Sequence, residues 1–118
     1  MHSPEEGVLN FLREWKKACD LYKISFVNRP KNLESIKQLG LTVTGAKELL
    51  RHLTVQDYVA GPKADKDKPG EVWEFGLLIN GIEVYVKVKL FEFNDEKKAK
   101  CISFHSAEHR LSFPFCRR

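Results

Sequence analysis

Apolar and polar positions in this chain repeat with two periods, one helical and one of two residues. Val8, Phe11, Leu12, Trp15, Cys19 and Tyr22 recur at three- and four-residue spacing, the buried stripe of an amphipathic helix. Ser3 stands where a cap is needed, Pro4 suits the first turn, and Glu6 completes a capping box. Lys23–Val27 alternates briefly, as a short strand does, and Arg29-Pro30 ends it. Asn32 reads as the cap of a second helix with Leu33, Ile36 and Leu39 inward. Gly40 then fits the left-handed position past its end, and Leu41 the apolar contact that follows. Thr44 reads as the cap of a third helix to about Leu53, burying Ala46, Leu49, Leu50 and Leu53. Thr54–Tyr58 reads as one more helical turn or a tight bend.

The period then changes. Val72–Phe93 holds two β-branched runs around Asn80-Gly81, a dipeptide that tolerates the positive φ angles of a type I′ turn. A two-residue loop puts Ile79 opposite Ile82, Gly76 opposite Tyr85, Phe75 opposite Val86 and Glu74 opposite Lys87. Val84, Val86, Val88 and Leu90 then face the core, and Trp73, opposite Val88, joins them. Glu83, Tyr85, Lys87 and Lys89 face the other way, beside Glu74 and Gly76. Asn94–Lys97 is a polar turn, and Lys98–His105 alternates again. Strict alternation sends Ile102 and Phe104 inward and puts Cys101, Ser103 and His105 on the polar face. Leu111, Phe113, Pro114 and Phe115 form an apolar tail expected to dock on the core. The element order is αβααβββ, one α+β domain over residues 1–118. It has N-terminal helices on one face of a small antiparallel sheet and a C-terminal β-meander.

Composition adds modest constraints. Lys plus Arg number 20 against 16 acids, a formal charge of +4, which favours a polyanionic partner. No apolar run approaches the roughly 20 residues of a membrane helix, and no secretory signal opens the chain, so the cytoplasm is expected. Cys19, Cys101 and Cys116 are scattered and odd in number, which suits a reducing compartment. His105 and His109 are four apart, but no acid or thiol stands at matching spacing, so no metal or cofactor is expected. Residues 61–70, GPKADKDKPG, form a charged loop between Gly-Pro and Pro-Gly. It is either a solvated connection or a substrate loop beside the hairpin.

From about Leu53 onward the chain resembles the MqsR-type messenger-RNA interferase toxins of bacterial toxin–antitoxin pairs. The pieces are Asp57-Tyr58, Trp73-Glu74, Val84-Tyr85-Val86-Lys87 and Ser103-Phe104-His105, in that order. It is also similar to small bacterial proteins described as toxins of such pairs. Those similarities lie in Trp73–Gly76, Gly81–Lys87 and Cys101–His105. The resemblance implies a RelE-like ribonuclease that cleaves RNA without metal and is silenced by an antitoxin that also binds DNA. It places Tyr85 on the active surface. Two positions depart from the family pattern, Glu74 where a glutamine is expected and His105 where a lysine is expected. A third family lysine is replaced by Val59, with Lys63 the nearest substitute.

Metal-free RNA cleavage uses the 2′-hydroxyl as nucleophile. It needs a base for that proton, a cation for the phosphorane and an acid for the departing 5′-oxygen. Glu74 beside Lys87 is one candidate base, and His105 is the candidate acid, or the base if Glu74 is only structural. Tyr85 can hold a phosphate oxygen or stack on a base, and Gly76 leaves room for the RNA backbone. The catalytic set is thus His105, Lys87, Tyr85 and Glu74, with Lys63, Lys89, Ser103, His109 and Arg110 as RNA-binding candidates. The alternatives are a non-catalytic RNA-binding module, or a protein-interaction domain using the same polar face.

Overall fold

The computed structural model describes residues 4–116, so the predicted Ser3 cap and the Arg117-Arg118 end lie outside the described residues. The elements are α1 Pro4–Leu21, β1 Ser25–Phe26, α2 Pro30–Gln38, α3 Val43–Arg51, a 3₁₀ turn Val55–Asp57, β2 Tyr58–Ala64, β3 Glu71–Ile79, β4 Ile82–Phe93 and β5 Glu96–Ser106. The α+β class stands, but the sheet is mixed. Its order is β1-β5-β4-β3-β2, with β1 parallel to β5 and the other pairings antiparallel. One strand was not anticipated: β2 takes in the first residues of the expected 61–70 loop. Only Asp65–Gly70 remains as connection.

The hairpin follows the turn chemistry. Asn80 and Gly81 have φ of 51° and 78°, and Ile79↔Ile82, Gly76↔Tyr85, Phe75↔Val86 and Glu74↔Lys87 are all opposite one another. Val84, Val86 and Val88 are fully buried against α1 and α3 side chains. Trp15 fills the centre of that core and donates its indole N–H to the Leu50 carbonyl at 2.8 Å, tying α1 to α3. Trp73 lies opposite Val88 and stacks on Phe11 with centroids 4.5 Å apart, part of the core as expected.

The helix boundaries need two corrections. The third helix is capped by Thr42, whose hydroxyl accepts from the Gly45 N–H at 3.0 Å, and not by Thr44. It ends at Arg51, although Leu53 is still buried. The second helix starts at Pro30, so Asn32 is inside it and caps nothing. Leu33 points outward, 40% exposed, while Ile36 and Leu39 are buried. Its end is as expected. Gly40 has φ of 73°, and the Gly40 and Leu41 N–H groups close back on the Lys37 and Ile36 carbonyls.

Asn32 has a different task. It is 1% exposed, and its amide donates to the Val27 carbonyl at 3.0 Å and the Ile102 carbonyl at 2.9 Å. Its oxygen accepts from the Phe104 N–H at 3.1 Å. Strand β1 pairs with the outer edge of β5 at Lys100 and Cys101, and Asn32 satisfies the Ile102 carbonyl and the Phe104 N–H that follow.

That clamp sits on a β-bulge. The β4–β5 register runs Tyr85↔His105, Val86↔Phe104 and Lys87↔Ser103, then jumps to Val88↔Cys101, leaving Ile102 as the extra residue. The Cys101 carbonyl accepts from Val27 N–H at 3.0 Å while the Ile102 carbonyl accepts from Asn32, so two successive carbonyls face one edge. The bulge overturns half of the predicted alternation. Cys101 is in the core, fully buried, and Ile102 lines the polar face. Residues 103–105 keep the predicted faces, because they lie on the turn-distal side of the slip.

Candidate functional site

The polar face of β3, β4 and β5 carries a cleft of about 350 Å³. Its floor is Glu74, Tyr85, Lys87 and Ile102, and one wall is the Lys63–Asp67 segment. Arg29 also lines the cleft. Four cations thus meet three acids, and one of those acids, Asp65, is already neutralised from below by Lys89. The loop is therefore a wall of the cleft.

Glu74 is the hub. Its carboxylate accepts from the Tyr85 hydroxyl, and its other oxygen pairs with the Lys63 ammonium at 2.7 Å. Burial raises the Glu74 pKa. The Lys63 and Tyr85 hydrogen bonds and the charges of Lys63 and Lys87 outweigh that, so the carboxyl titrates below its ordinary value. The expected ion pair to Lys87 is not formed. Lys87 is the cross-strand neighbour, yet both carboxylate oxygens are taken by Lys63 and Tyr85, so Lys87 acts on Glu74 through its charge alone. It makes no ion pair with another described residue.

Burial, and then the hydrogen bond and charge of Glu74, push the Tyr85 phenol well above its ordinary value. Its proton stays on oxygen at neutral pH. On its other side lies His105, the direct cross-strand partner, with ring centroids 5.4 Å apart. The His105 Nδ1 lies 3.0 Å from the Ser106 carbonyl. A carbonyl only accepts, so the proton is on Nδ1, and in the neutral ring Nε2 keeps its lone pair.

Comparison with protein-family models, with curated proteins and with solved structures gives no match. The chemistry of the cleft has to come from its own residues.

The predicted residues divide three ways. Glu74, Tyr85, Lys87 and Lys63 line the cleft and His105 adjoins it through Tyr85. Ser103 lies opposite Lys87 but is only 5% exposed, too covered to meet a large ligand. Lys89 is 3% exposed, its ammonium donating to the Asp65 carboxylate at 2.7 Å and the Pro69 carbonyl at 2.9 Å. It holds the loop and is not available to a phosphate. His109 and Arg110 are exposed beyond the end of β5 and do not line the cleft.

Gly76 also needs correction. A Cβ there would lie 2.6 Å from Leu111 Cδ1 and 2.8 Å from the Phe113 ring, so the chain's own tail occupies the space predicted for RNA. The tail thus docks partly on the polar face, where the Leu111 N–H donates to the Glu83 carboxylate at 3.2 Å. Only Phe115 reaches the core side, stacked on Tyr58 at 5.3 Å.

Arg29, Lys66 and Ile102 were missed by sequence reasoning. Lys66 had a signal in the charged loop. Arg29 and Ile102 reach the cleft only through the α2–β5 clamp and the bulge.

Proposed function

We propose that this chain is an endoribonuclease that cleaves RNA by attack of the 2′-hydroxyl, without a metal, at the cleft floored by Glu74, Tyr85 and Lys87. The observation that carries the reading is Tyr85 wedged between an ionised carboxylate and an imidazole, in a cleft lined by cations. A carboxylate whose oxygens are both engaged and whose pKa is lowered is a weak base. Glu74 is therefore a positioning residue that orients Tyr85 and Lys63.

The base falls to His105 Nε2, which takes the 2′-hydroxyl proton. The 2′-oxygen bonds to phosphorus and the bond to the 5′-oxygen breaks. Lys87 offsets the phosphorane charge and gives a proton to the departing 5′-oxygen. The products are a 2′,3′-cyclic phosphate and a 5′-hydroxyl end. The MqsR-type resemblance supports a RelE-like toxin in this role, acting on messenger RNA in the cytoplasm with a DNA-binding antitoxin as partner. No helix among the described residues is long and apolar enough to cross a membrane.

The test uses EDTA-treated protein, single-stranded RNA and the same RNA with 2′-O-methyl sugars. Cleavage of the first alone, with cyclic phosphate ends, is expected. His105→Ala should lower the rate by about 10²–10⁴ with RNA affinity little changed. Binding without cleavage would mean an RNA-binding module instead. Absence of both binding and cleavage would refute the reading, and unimpaired growth of bacteria expressing the chain at high level would refute its toxin part.

A further inference from the structure

A second group of cations, Lys68, Lys89 and Lys100, lies outside the lining of the cleft. Lys100 stands directly opposite Lys89 across β4 and β5. Like charges in that arrangement repel. Asp65 is the acid within reach, and it is committed to Lys89. The loop brings Lys68 to the same place: its charge and that of Lys89, after burial itself, hold the half-buried Lys100 ammonium below its ordinary pKa. Neither Lys68 nor Lys100 has an ion pair with a described residue.

The loop does not bring Lys68 there by accident of mobility. The Asp65 N–H donates to the Gly70 carbonyl at 3.0 Å, and the Asp65 carboxylate accepts from the Asp67 and Lys68 N–H groups at 3.0 and 3.4 Å. Lys89 then ties both Asp65 and Pro69 to the sheet. The Lys68 backbone therefore rests on the same Asp65 carboxylate that Lys89 binds, and Lys100 lies beside Lys89 on the next strand, so three lysines share one acid. An anion placed between them would remove the repulsion.

We propose that Lys68 and Lys100 form a phosphate subsite, which takes a backbone phosphate of single-stranded RNA flanking the one in the cleft. The proposal rests on the ribonuclease reading for the identity of the polyanion. The spacing suits it, since the Lys87 and Lys89 positions of β4 are two residues, about 7 Å, apart along the strand. Lys66 of the same loop faces the cleft, so one loop serves both positions.

The experiment measures binding of a labelled, uncleavable 2′-O-methyl RNA against salt for the parent chain and for Lys68→Gln/Lys100→Gln. Lys16→Gln, on the exposed side of α1, is the charge control. Losing one phosphate contact should lower the slope of log K against log[salt] by about 0.7. That is about fivefold in affinity at 0.1 M salt if the two lines meet at 1 M. An RNA too short to extend beyond the cleft should show no difference between parent and double variant. The double variant should melt no lower than the parent, because the repulsion is gone.

A slope equal to that of the Lys16→Gln control would overturn the subsite while leaving the cleft reading intact. RNA binding with the predicted slope change but no cleavage by the parent would keep the subsite and remove the nuclease. No RNA binding by the parent would overturn both.

Discussion

Asn32→Ala should be among the most damaging single substitutions in this protein. The side chain is buried, and three backbone groups depend on it: the Val27 and Ile102 carbonyls and the Phe104 N–H. A stranded N–H has no second option, and a buried unsatisfied group costs about 1–3 kcal/mol. The sum is about 3–5 kcal/mol once partial entry of water to the carbonyls is allowed for. A domain of 118 residues has only about 6–18 kcal/mol in total. At about 3–5 °C per kcal/mol for this size, the melting temperature should fall by about 10–20 °C. Asn32→Asp should do no better near neutral pH, because a carboxylate accepts from Phe104 but has no proton for two carbonyls. Urea and thermal unfolding give the stability, and amide exchange at Phe104 reports the clamp itself. A loss below about 1 kcal/mol, with the Phe104 amide still protected, would mean that the bulge holds itself and that Asn32 merely fills space.

Three further outcomes are expected. Glu74 has a folded pKa below its unfolded value, so its stabilisation is present above the unfolded value and is lost as pH falls through the folded one. The stability gap between parent and Glu74→Gln should therefore narrow on acidification below about pH 4.5; a gap that stays constant to pH 3 in thermal melts refutes it. Gly76→Val should lift the tail from the sheet, because the added atoms meet the ends of Leu111 and Phe113, at a cost of about 1–3 kcal/mol. Faster proteolysis after Ser106 with an unchanged sheet would show it, and an unaltered tail would contradict it. Lys89→Met should release the Asp65–Gly70 loop and expose Lys66 and Lys68 to trypsin while the hairpin stays protected from exchange; equal digestion of parent and variant would show that the loop needs no tether.

The hairpin was legible because everything that sets it is local. Asn80-Gly81 chooses the turn, the turn chooses the register, and the alternation of Val84, Val86 and Val88 chooses the face. Glu74, Tyr85 and Lys87 follow from those three facts, and the helix stripe of α1 and the Gly40 stop follow from equally local signals. The rest depended on residues far apart in sequence. The parallel pairing of β1 with β5 joins Ser25 to Lys100, which no periodicity within either segment can register. The groups that the bulge at Ile102 leaves open are satisfied by Asn32, seventy residues away. A period-two pattern has no way to announce one extra residue, so Cys101 and Ile102 exchanged faces. Alternation along β4 offered Lys89 to RNA on the open face, and only the loop that brings Asp65 and Pro69 over it withdraws it. Alternation decides which side of a sheet a residue is on; only the packing of distant segments decides whether that side is open to solvent, covered by a tail, or closed over an ion pair.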